Sequence, residues 1–284
     1  MNTNDLVYIL GGGYIGIAIY NHLSPTHNVK LIASSTVNYH NPKEFWRLLV
    51  DKTPKIVINC SGFTGKPNVD QGEIQKSECW RLNVTSPVNI VDSCNKLGIK
   101  CVHISSGCIY DGYDKVFSEE DAPNFGLFDN SSFYSKSKHA FELATINKNV
   151  TILRLRMPIC DDINNERNYL WKLKIYPNLI NFTNSKTYIP DLCGFIETYL
   201  SLDTPTIGQT IYNVVNSNPL NTREVISILN TNIYDYKYNP NWIELKDLKT
   251  LAPRSNCMLS NDKASTIYKF KTEREAIQTI ISNI

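Results

Sequence analysis

Short apolar runs alternate with amphipathic stretches through the first half of the chain. Strands are predicted over residues 6–10, 29–33, 55–59, 101–105 and 150–155, because each run is brief, apolar and bounded by turn residues. Helices are predicted to begin at residue 15 and to span 42–51, 83–97 and 133–146, with apolar positions on one side. This alternation is typical of βαβ units. We therefore predict an α/β fold, with a Rossmann-like, doubly wound parallel sheet.

The pattern loosens after residue 156, where Pro, Asn and Asp cluster between shorter periodic segments. Helices are predicted near residues 168–175, 190–202, 222–229 and 272–281, and a strand over 210–215. We expect residues 1–160 to form a nucleotide-binding core. Residues 161–284 are expected to form mainly a smaller C-terminal substrate-binding lobe, with some segments returning to the core.

Charge and composition exclude several classes of protein. The chain has 284 residues, 42% of them hydrophobic and 20% charged, which is the composition of a folded globular protein. Its net charge of +2, without a long Lys/Arg run, argues against nucleic acid as a partner. No apolar stretch is long enough to span a bilayer, and the N-terminus does not resemble a secretory signal.

The eight cysteines suggest reduced thiols rather than a metal site. No two of them form a C-x-x-C pair, and the five histidines lack metal-ligand spacing, so we predict no metal. Without a secretory signal, disulfides are not expected. The predicted location is the cytoplasm.

A glycine-rich turn follows the first predicted strand. Gly11, Gly13 and Gly16 form G-x-G-x-x-G, with Tyr14 and Ile15 between the last two glycines. Glycine lets the backbone approach a pyrophosphate, and the N-terminus of the following helix favours negative charge. The turn therefore predicts a dinucleotide cofactor, the alternative being a plain glycine turn.

The end of the second strand bears on which dinucleotide is bound. An NAD site usually has an acidic residue about 20 positions beyond the glycines, but residues 31–36 contain none. The hydroxyls of Ser34 and Ser35 can instead bond a 2′-phosphate, which favours NADPH and leaves NADH open. Cys60, Ser61 and Gly62 leave the third strand and are predicted to lie along the cofactor.

A candidate reaction centre combines three residues from the middle of the chain. Tyr134 and Lys138 stand four residues apart on a predicted helix, and Ser106 ends a strand at the ligand-binding edge of the sheet. An ammonium group beside a phenol is expected to lower the tyrosine pKa and make it a proton donor or acceptor for a carbonyl–alcohol pair. The alternatives are a solvated helix face and ordinary turn residues.

Other candidate residues have two interpretations each. Cys108 is either a small buried hydrophobe or a thiolate that removes a proton beside a ketone. Arg154 and Arg156 are either structural or phosphate-binding, and Arg254 is either a diphosphate ligand or a surface charge.

Five segments together resemble one family of enzymes. The glycine turn, Ser106, Tyr134 and Lys138 are similar to extended short-chain dehydrogenases/reductases. Residues 62–70, 106–110, 133–138, 153–159 and 252–256 more specifically resemble the bifunctional UDP-4-keto-6-deoxy-D-glucose 3,5-epimerase/4-reductases of UDP-L-rhamnose synthesis, found in plants and giant DNA viruses.

The resemblance implies roles for individual residues. It makes Ser106, Tyr134 and Lys138 the reductase triad, and it makes Cys108 the epimerisation residue with Lys172 as its partner. A lysine can act in this way only if its pKa is lowered. The residues implied in substrate binding are Thr64, Asn83, Asn168 and Arg254.

Two positions depart from the family pattern. The plant enzymes have threonine at the position of Ser106. The family's turn usually reads G-x-x-G-x-x-G, and Leu10 stands where its first glycine would be, so Gly11 is expected to take over.

The implied activity is the conversion of UDP-4-keto-6-deoxy-D-glucose to UDP-β-L-rhamnose with NADPH. The chain contains no dehydratase domain, so a separate UDP-glucose 4,6-dehydratase is expected to supply the substrate. A 4-reductase without epimerase activity and a non-catalytic NADP-binding regulatory subunit are the alternatives. The sequence leaves open whether the sugar carries UDP or dTDP and whether the chain forms a homodimer.

Overall fold

Six parallel strands form the central sheet of the protein, for which a computed structural model describes residues 5–202, 206–233 and 238–284. The sheet order is β2-β1-β3-β4-β5-β9. The described strands are β1 (Val7–Leu10), β2 (Val29–Ile32), β3 (Ile56–Asn59), β4 (Lys100–Ser106), β5 (Val150–Leu155), β6 (Pro158–Ile159), β7 (Asn178–Leu179), β8 (Thr187–Tyr188), β9 (Gln209–Asn213) and β10 (Asn241–Trp242).

Helices connect these strands. A π-helical turn, Arg81–Thr85, leads into α5, and a 3-10 turn spans Leu245–Asp247. The α-helices are α1 (Tyr14–Leu23), α2 (Pro42–Lys52), α3 (Gln71–Ile74), α4 (Lys76–Trp80), α5 (Ser86–Lys96), α6 (Phe133–Ala144), α7 (Tyr169–Ile175), α8 (Ile189–Ser201), α9 (Thr222–Asn232), α10 (Asp262–Ser265) and α11 (Glu273–Ser282).

The predicted α/β fold with a doubly wound parallel sheet is confirmed. Every predicted strand is present, and the one predicted over residues 210–215 is β9, which ends at Asn213. The helix predicted over 83–97 corresponds to the π-helical turn followed by α5. The two-residue strands and the four- and five-residue helices were not predicted, because they are too short to show a period.

The strand order defines where a ligand can bind. β1 lies between β2 and β3 in the sheet. The chain therefore continues from β1 to β2 on one side of it and then crosses over to form β3 on its other side. In open α/β sheets, ligands bind outside the carboxyl ends of the strands at such a switch point. Gly11 follows β1 and Cys60 follows β3, so both lie at that edge.

Alternate residues of the central strands pack on opposite faces of the sheet. Val7 and Ile9 face a cluster that includes Ile19 of α1 and Phe195 of α8. Tyr8 and Leu10 of the same strand face the other cluster, to which α2, α5 and α6 contribute Phe45, Leu49, Ile90 and Phe141. Burial of each such side chain contributes about 1.5–3 kcal/mol. The two apolar faces hold the edge of the sheet that carries the turns rigidly in place.

The later part of the chain contributes both to the core and to a separate apolar cluster. β9 pairs with β5, and α8 packs on α1, so both belong to the layers of the sheet. α7, α9 and α11 instead bury a third cluster that includes Leu173, Val225 and Ile277. The proposed division at residue 160 remains a prediction.

The described ranges contain neither a membrane-spanning helix nor a cluster of metal ligands. In residues 5–202, 206–233 and 238–284, no helix combines the length and apolarity that a bilayer crossing requires. Among the same residues, no three His, Cys, Asp or Glu side chains come together as a metal site would need.

Candidate active site

A cavity of about 850 Å³ opens at the carboxyl edge of the sheet. It brings together residues that are far apart in sequence, from the glycine turn, the ends of β3 and β4, α6, α7 and the segment near residue 254. The site residues predicted from the sequence that line it are Gly13, Tyr14, Ile15, Cys60, Ser61, Gly62, Thr64, Ser106, Cys108, Tyr134, Lys138, Lys172 and Arg254.

Five other predicted site residues do not line this cavity. Gly11 and Gly16 shape the turn beneath it, and Ser34 lies exposed in the turn after β2. Asn83 and Asn168 are fully buried and bond to the protein itself. Their predicted contacts with cofactor or substrate remain predictions.

The glycine turn fits a pyrophosphate. A Cβ on Gly16 would lie 1.9 Å from the carbonyl oxygen of Gly11, so α1 can pack this closely on the turn only with glycine there. A Cβ on Gly13 would meet nothing within 4 Å, so this position faces open space. Gly13 is also the N-cap of α1, and no side chain caps the helix. The free N–H groups of its first turn can therefore bind a phosphate.

Tyr39 connects two of the predicted cofactor residues, and sequence reasoning missed it. Its side chain is buried, and its phenol lies near the hydroxyls of both Ser34 and Ser61. Ser61 is held further by Asn59, whose Oδ1 accepts hydrogen bonds from the Ser61 backbone N–H at 3.0 Å and from its hydroxyl at 2.5 Å. The turns after β2 and β3 are thereby tied together on the side of the sheet where a dinucleotide would lie.

The start of α6 is fixed by two caps. The Ser132 hydroxyl accepts a hydrogen bond from the Ser135 N–H at 3.0 Å, and Glu73 Oε1 accepts one from the Phe133 N–H at 2.6 Å. A side-chain oxygen at each of these points satisfies a donor that the helix leaves unpaired. Tyr134, in the first turn of α6, is thus held rigidly at the cavity.

Ser106 and Tyr134 line the cavity together. The Ser106 hydroxyl lies near the Tyr134 phenol, and Lys138 Nζ lies 5.8 Å from the centre of the tyrosine ring. The prediction that Lys138 lowers the tyrosine pKa is wrong for this structure. Burial raises the pKa of Tyr134, the negative charge that Cys108 can carry adds to this rise, and the nearby Ser106 hydroxyl only opposes it. The phenol is therefore protonated and ready to donate.

The larger electrostatic effect falls on Lys138 itself. Burial lowers the pKa of Lys138 to about 8, against the opposing influence of Cys79, Glu142 and Cys108. Its ammonium lies beside Gly62, where a Cβ would come within 3.5 Å of Nζ. Near neutral pH the group is mostly charged, although it is only 5% exposed.

Asn83 organises the loop beyond β3. Its Oδ1 accepts a hydrogen bond from the Phe63 N–H at 2.7 Å, and its Nδ2 donates to the Phe63 carbonyl at 2.9 Å. The same Nδ2 donates to the Ser137 hydroxyl at 3.0 Å. Asn83 therefore fastens the loop that carries Gly62 to α6, which carries the tyrosine and the lysine.

Two arginines near the end of β5 have different partners. Arg154 forms a buried ion pair with Glu142, with distances of 3.1 Å and 2.7 Å, and donates to the Tyr110 hydroxyl at 2.9 Å. Arg156 lines the cavity, and its Nη1 donates to Cys108 Sγ at 3.3 Å. Arg154 is thus structural, whereas Arg156 contacts the predicted epimerisation residue.

Lys172 reaches the cavity from α7. Asn168 caps this helix by accepting from the Leu170 N–H at 3.0 Å, and it holds the preceding loop by donating to the carbonyls of Cys160 and Asp162, each at 2.9 Å. Burial lowers the pKa of Lys172, and the positive charges of Arg167 and Arg254 lower it further. A lysine of lowered pKa is what the resemblance requires of this position.

Two arginines, Arg167 and Arg254, lie near Lys172. Arg254 Nη2 pairs with Asp70 at 3.0 Å, and its buried Nη1 has no partner among the described residues. Arg167, which was not predicted, donates to the Gly65 carbonyl at 2.9 Å and to the Thr64 hydroxyl at 3.3 Å. A cavity wall with this much positive charge suits a diphosphate.

Comparison with known proteins identifies the family. The family model described as RmlD substrate binding domain matches residues 5–177. The chain belongs to this family. A bifunctional dTDP-4-dehydrorhamnose 3,5-epimerase/dTDP-4-dehydrorhamnose reductase of Arabidopsis thaliana is 33% identical over 224 residues, which are 75% of this chain and 71% of that protein.

Longer relatives match over a part of their length. A trifunctional UDP-glucose 4,6-dehydratase/UDP-4-keto-6-deoxy-D-glucose 3,5-epimerase/UDP-4-keto-L-rhamnose-reductase of Arabidopsis thaliana is 33% identical over 223 residues. The match covers 75% of this chain, and the chain spans about a third of that relative, 32%.

A solved structure shows the same fold. The L780 UDP-rhamnose synthase of Acanthamoeba polyphaga mimivirus superimposes with a TM-score of 0.86 at 22% identity, covering 99% of this chain and 100% of the other. The resemblance in fold therefore extends beyond the part of the chain matched by the family model.

Proposed function

We propose that the chain converts UDP-4-keto-6-deoxy-D-glucose to UDP-β-L-rhamnose by 3,5-epimerisation followed by NADPH-dependent reduction of the 4-ketone. One observation carries the proposal: Ser106 and Tyr134, with Cys108 and Lys172, line a single cavity. Two hydroxyl groups that can donate hydrogen bonds to the ketone oxygen and two groups that can carry protons can then act on one bound sugar. The names of the bifunctional and trifunctional relatives support the same pairing of activities.

The charge distribution in the cavity orients the substrate. Arg167 and Arg254 attract the diphosphate, because arginine binds phosphate oxygens through paired N–H donors. The sugar then extends towards Ser106 and Tyr134 at the carboxyl end of β4. This arrangement brings the oxygen of the 4-ketone to a proton donor.

The reduction uses the protonated phenol. A bound NADPH would lie along the glycine turn and the Ser61–Gly62 segment, and it supplies the hydride. The ketone oxygen accepts hydrogen bonds from Ser106 and Tyr134, and Tyr134 gives up its proton as the alcohol forms. Lys138 then lies close to the new phenolate and stabilises its negative charge.

The epimerisation uses the same ketone. Protons on C3 and C5 are acidic because the enolate oxygen is held by Ser106 and Tyr134. At each carbon, Cys108 removes the proton on one face and Lys172 returns one on the opposite face. The electron pair of the broken C–H bond resides on the enolate oxygen between the two steps, and the new C–H bond uses it.

A second candidate is a 4-reductase without epimerase activity. The observation that favours it is the position of Lys172, whose charged neighbours are Arg167 and Arg254. In that setting the lysine would bind diphosphate rather than exchange protons. A regulatory NADP-binding role is the third alternative retained from the sequence.

The decisive experiment is NADPH oxidation with UDP-4-keto-6-deoxyglucose in D2O, with the product analysed by NMR. Deuterium at C3 and C5 of a UDP-L-rhamnose product is the expected result. Oxidation without deuterium at those carbons would establish the reductase alternative. Binding of NADPH without oxidation would leave the regulatory interpretation, and the same assay with the dTDP sugar separates the two nucleotides.

A further inference from the structure

Arg156 is a buried cation at the wall of the cavity. Its side chain is 2% exposed and follows directly on β5. Nη1 donates to Cys108 Sγ at 3.3 Å and to the Ser255 hydroxyl at 3.1 Å. Nη2 donates to Asn184 Oδ1 and to the Ser255 carbonyl, each at 2.6 Å. The guanidinium is thus held firmly against the sulfur atom.

None of the hydrogen-bond acceptors that the described residues offer Arg156 is a carboxylate. Among the residues that the structure describes, no carboxylate forms an ion pair with it, whereas Arg154, two positions earlier, is paired with Glu142. The acidic group that acts on Arg156 over a distance is Asp111, and its Oδ1 already accepts from the Asn256 N–H at 2.7 Å. A buried charge without a counter-ion is costly, so an anion is expected here at some stage.

Arg156 also has an unused donor. Its Nε is buried and has no hydrogen-bond partner within the described ranges. Because guanidinium groups keep their proton under all ordinary conditions, Arg156 cannot serve as the base in any step. Its available chemistry is the stabilisation of negative charge. The groups near it that can become negative are Cys257, Cys108, Tyr113 and Asp111. Of these, Cys108 is the one that both accepts a hydrogen bond from Arg156 and lines the cavity.

We propose that Arg156 is the positioning residue for Cys108 and the counter-ion of its thiolate. This inference rests on the proposed epimerase function. The thiolate takes a proton from C3 or C5 and forms an S–H bond, the electron pair of the C–H bond passes to the enolate, and the Lys172 ammonium protonates the opposite face. Transfer of the thiol proton to the Lys172 amine through solvent restores both groups.

This assignment gives separate residues to two tasks, the stabilisation of the Cys108 thiolate and the return of a proton to the sugar. The resemblance had implied only Cys108 and Lys172 for both. Arg156 positions the sulfur and stabilises the negative charge of its thiolate, and Lys172 supplies the second proton. Lys172 then needs no contact with Cys108, which agrees with its position among Arg167 and Arg254. The competing interpretation is that Arg156 merely fastens the segment at Ser255 to β5.

Alkylation of Cys108 tests the proposal without any substrate. Purified protein and the Arg156→Gln and Arg156→Lys variants are treated with iodoacetamide near neutral pH, and each cysteine is followed by peptide mass spectrometry. Because only the thiolate reacts, we expect Arg156→Gln to slow alkylation of Cys108 by about tenfold or more. Arg156→Lys, which keeps the charge, should recover most of the rate.

Cys160 is the internal control, since it is also half-buried and does not contact Arg156. An equal change at Cys160 and Cys108 in Arg156→Gln would show general loosening and overturn the proposal, and so would an unchanged rate at Cys108. Ser255→Ala removes a neighbour of the guanidinium and leaves its charge in place. In this variant, Cys108 should therefore be alkylated at the same rate as in the unaltered protein.

A second readout separates this inference from the proposed function. With the unaltered protein, absence of deuterium at C3 and C5 rejects the epimerase, whatever the alkylation result. If deuterium is incorporated, Arg156→Gln should lose this incorporation far more than it loses reduction of UDP-4-keto-L-rhamnose, which is already epimerised. An equal loss of both would assign Arg156 a purely structural role.

Discussion

The protonation states of two neighbouring side chains, Tyr134 and Lys138, control the proposed reduction. Burial raises the pKa of the phenol and lowers the pKa of the ammonium group, so both are protonated near neutral pH. A phenol that donates its proton leaves a phenolate, and the nearby positive charge then lowers the barrier. The two opposite shifts therefore suit the direction from ketone to alcohol.

This arrangement predicts how reduction depends on pH. Lys138 is charged below its pKa of about 8 and neutral above it. We expect kcat/KM for reduction of UDP-4-keto-L-rhamnose to fall as the pH rises through this value, because kcat/KM reports groups of the free enzyme. Lys138→Arg should keep its charge and move the fall to higher pH. A profile that stays level well above pH 8, or one that Lys138→Arg leaves in place, would contradict this role.

The two proposed activities should separate at Cys108. Cys108→Ala is expected to abolish deuterium incorporation from D2O at C3 and C5, because no other group is proposed to remove those protons. Reduction of UDP-4-keto-L-rhamnose should stay within about threefold of the unaltered enzyme, since general-base removal affects only the step it serves. Cys160→Ala, the matched control, should retain both reactions. Deuterium in the product of Cys108→Ala would disprove the assignment.

The turn between β1 and α1 has separate folding and binding positions. Gly16→Ala places a Cβ 1.9 Å from the Gly11 carbonyl oxygen, so the helix must move and stability should fall by about 1–3 kcal/mol or more. Gly13→Ala meets no protein atom within 4 Å, so its thermal midpoint should be nearly unchanged.

The role of Gly13 in binding should appear in the affinity for NADPH. The Cβ of Gly13→Ala projects towards the space predicted for the pyrophosphate, and its NADPH affinity should fall by about tenfold or more. Fluorescence titration beside thermal unfolding measures both effects. If Gly13→Ala bound NADPH normally, the cofactor would not approach this turn as proposed.

The pair Glu142–Arg154 fastens α6 to β5, and its side chains are 5% and 3% exposed. Glu142→Gln leaves a buried arginine without its counter-ion, which should cost about 3–5 kcal/mol. Glu78 and Arg81 form the matched pair on the surface. Their side chains are 41% and 49% exposed, and two hydrogen bonds also join them. Glu78→Gln should cost less than about 1 kcal/mol. Equal midpoints in urea for the two variants would show that α6 is held by other contacts.

Over the whole molecule, local sequence patterns predicted most of the strands and helices that build the central sheet and its flanking layers. Hydrophobic periodicity and turn residues located the six strands of the sheet, and therefore the edge at which Ser106 and Gly62 lie. The cavity brings together at this edge residues from the glycine turn, the ends of β3 and β4, α6, α7 and the segment near residue 254.

The features that the sequence did not predict depend on contacts between distant segments. Arg154 and Arg156 look alike in the sequence, but one meets Glu142 and the other meets Cys108. Tyr39 was overlooked because its partners, Ser34 and Ser61, are joined only by the folded sheet. The pKa of Tyr134 was assigned the wrong direction because spacing along a helix shows a nearby charge but not the depth of burial.

The sixth strand bears on how far the chain can be shortened. The family match ends at residue 177, but α8 and β9 lie beyond it in sequence and belong to the sheet layers. A fragment of residues 1–177 would leave β5 as an unprotected border and expose Ile19 of α1 to water. We expect this fragment to aggregate in size-exclusion chromatography while the full chain does not. The part of the chain matched by the family model is then not an autonomous module that evolution or the laboratory can exchange freely, because the last strand of its sheet is encoded beyond α7 and α8.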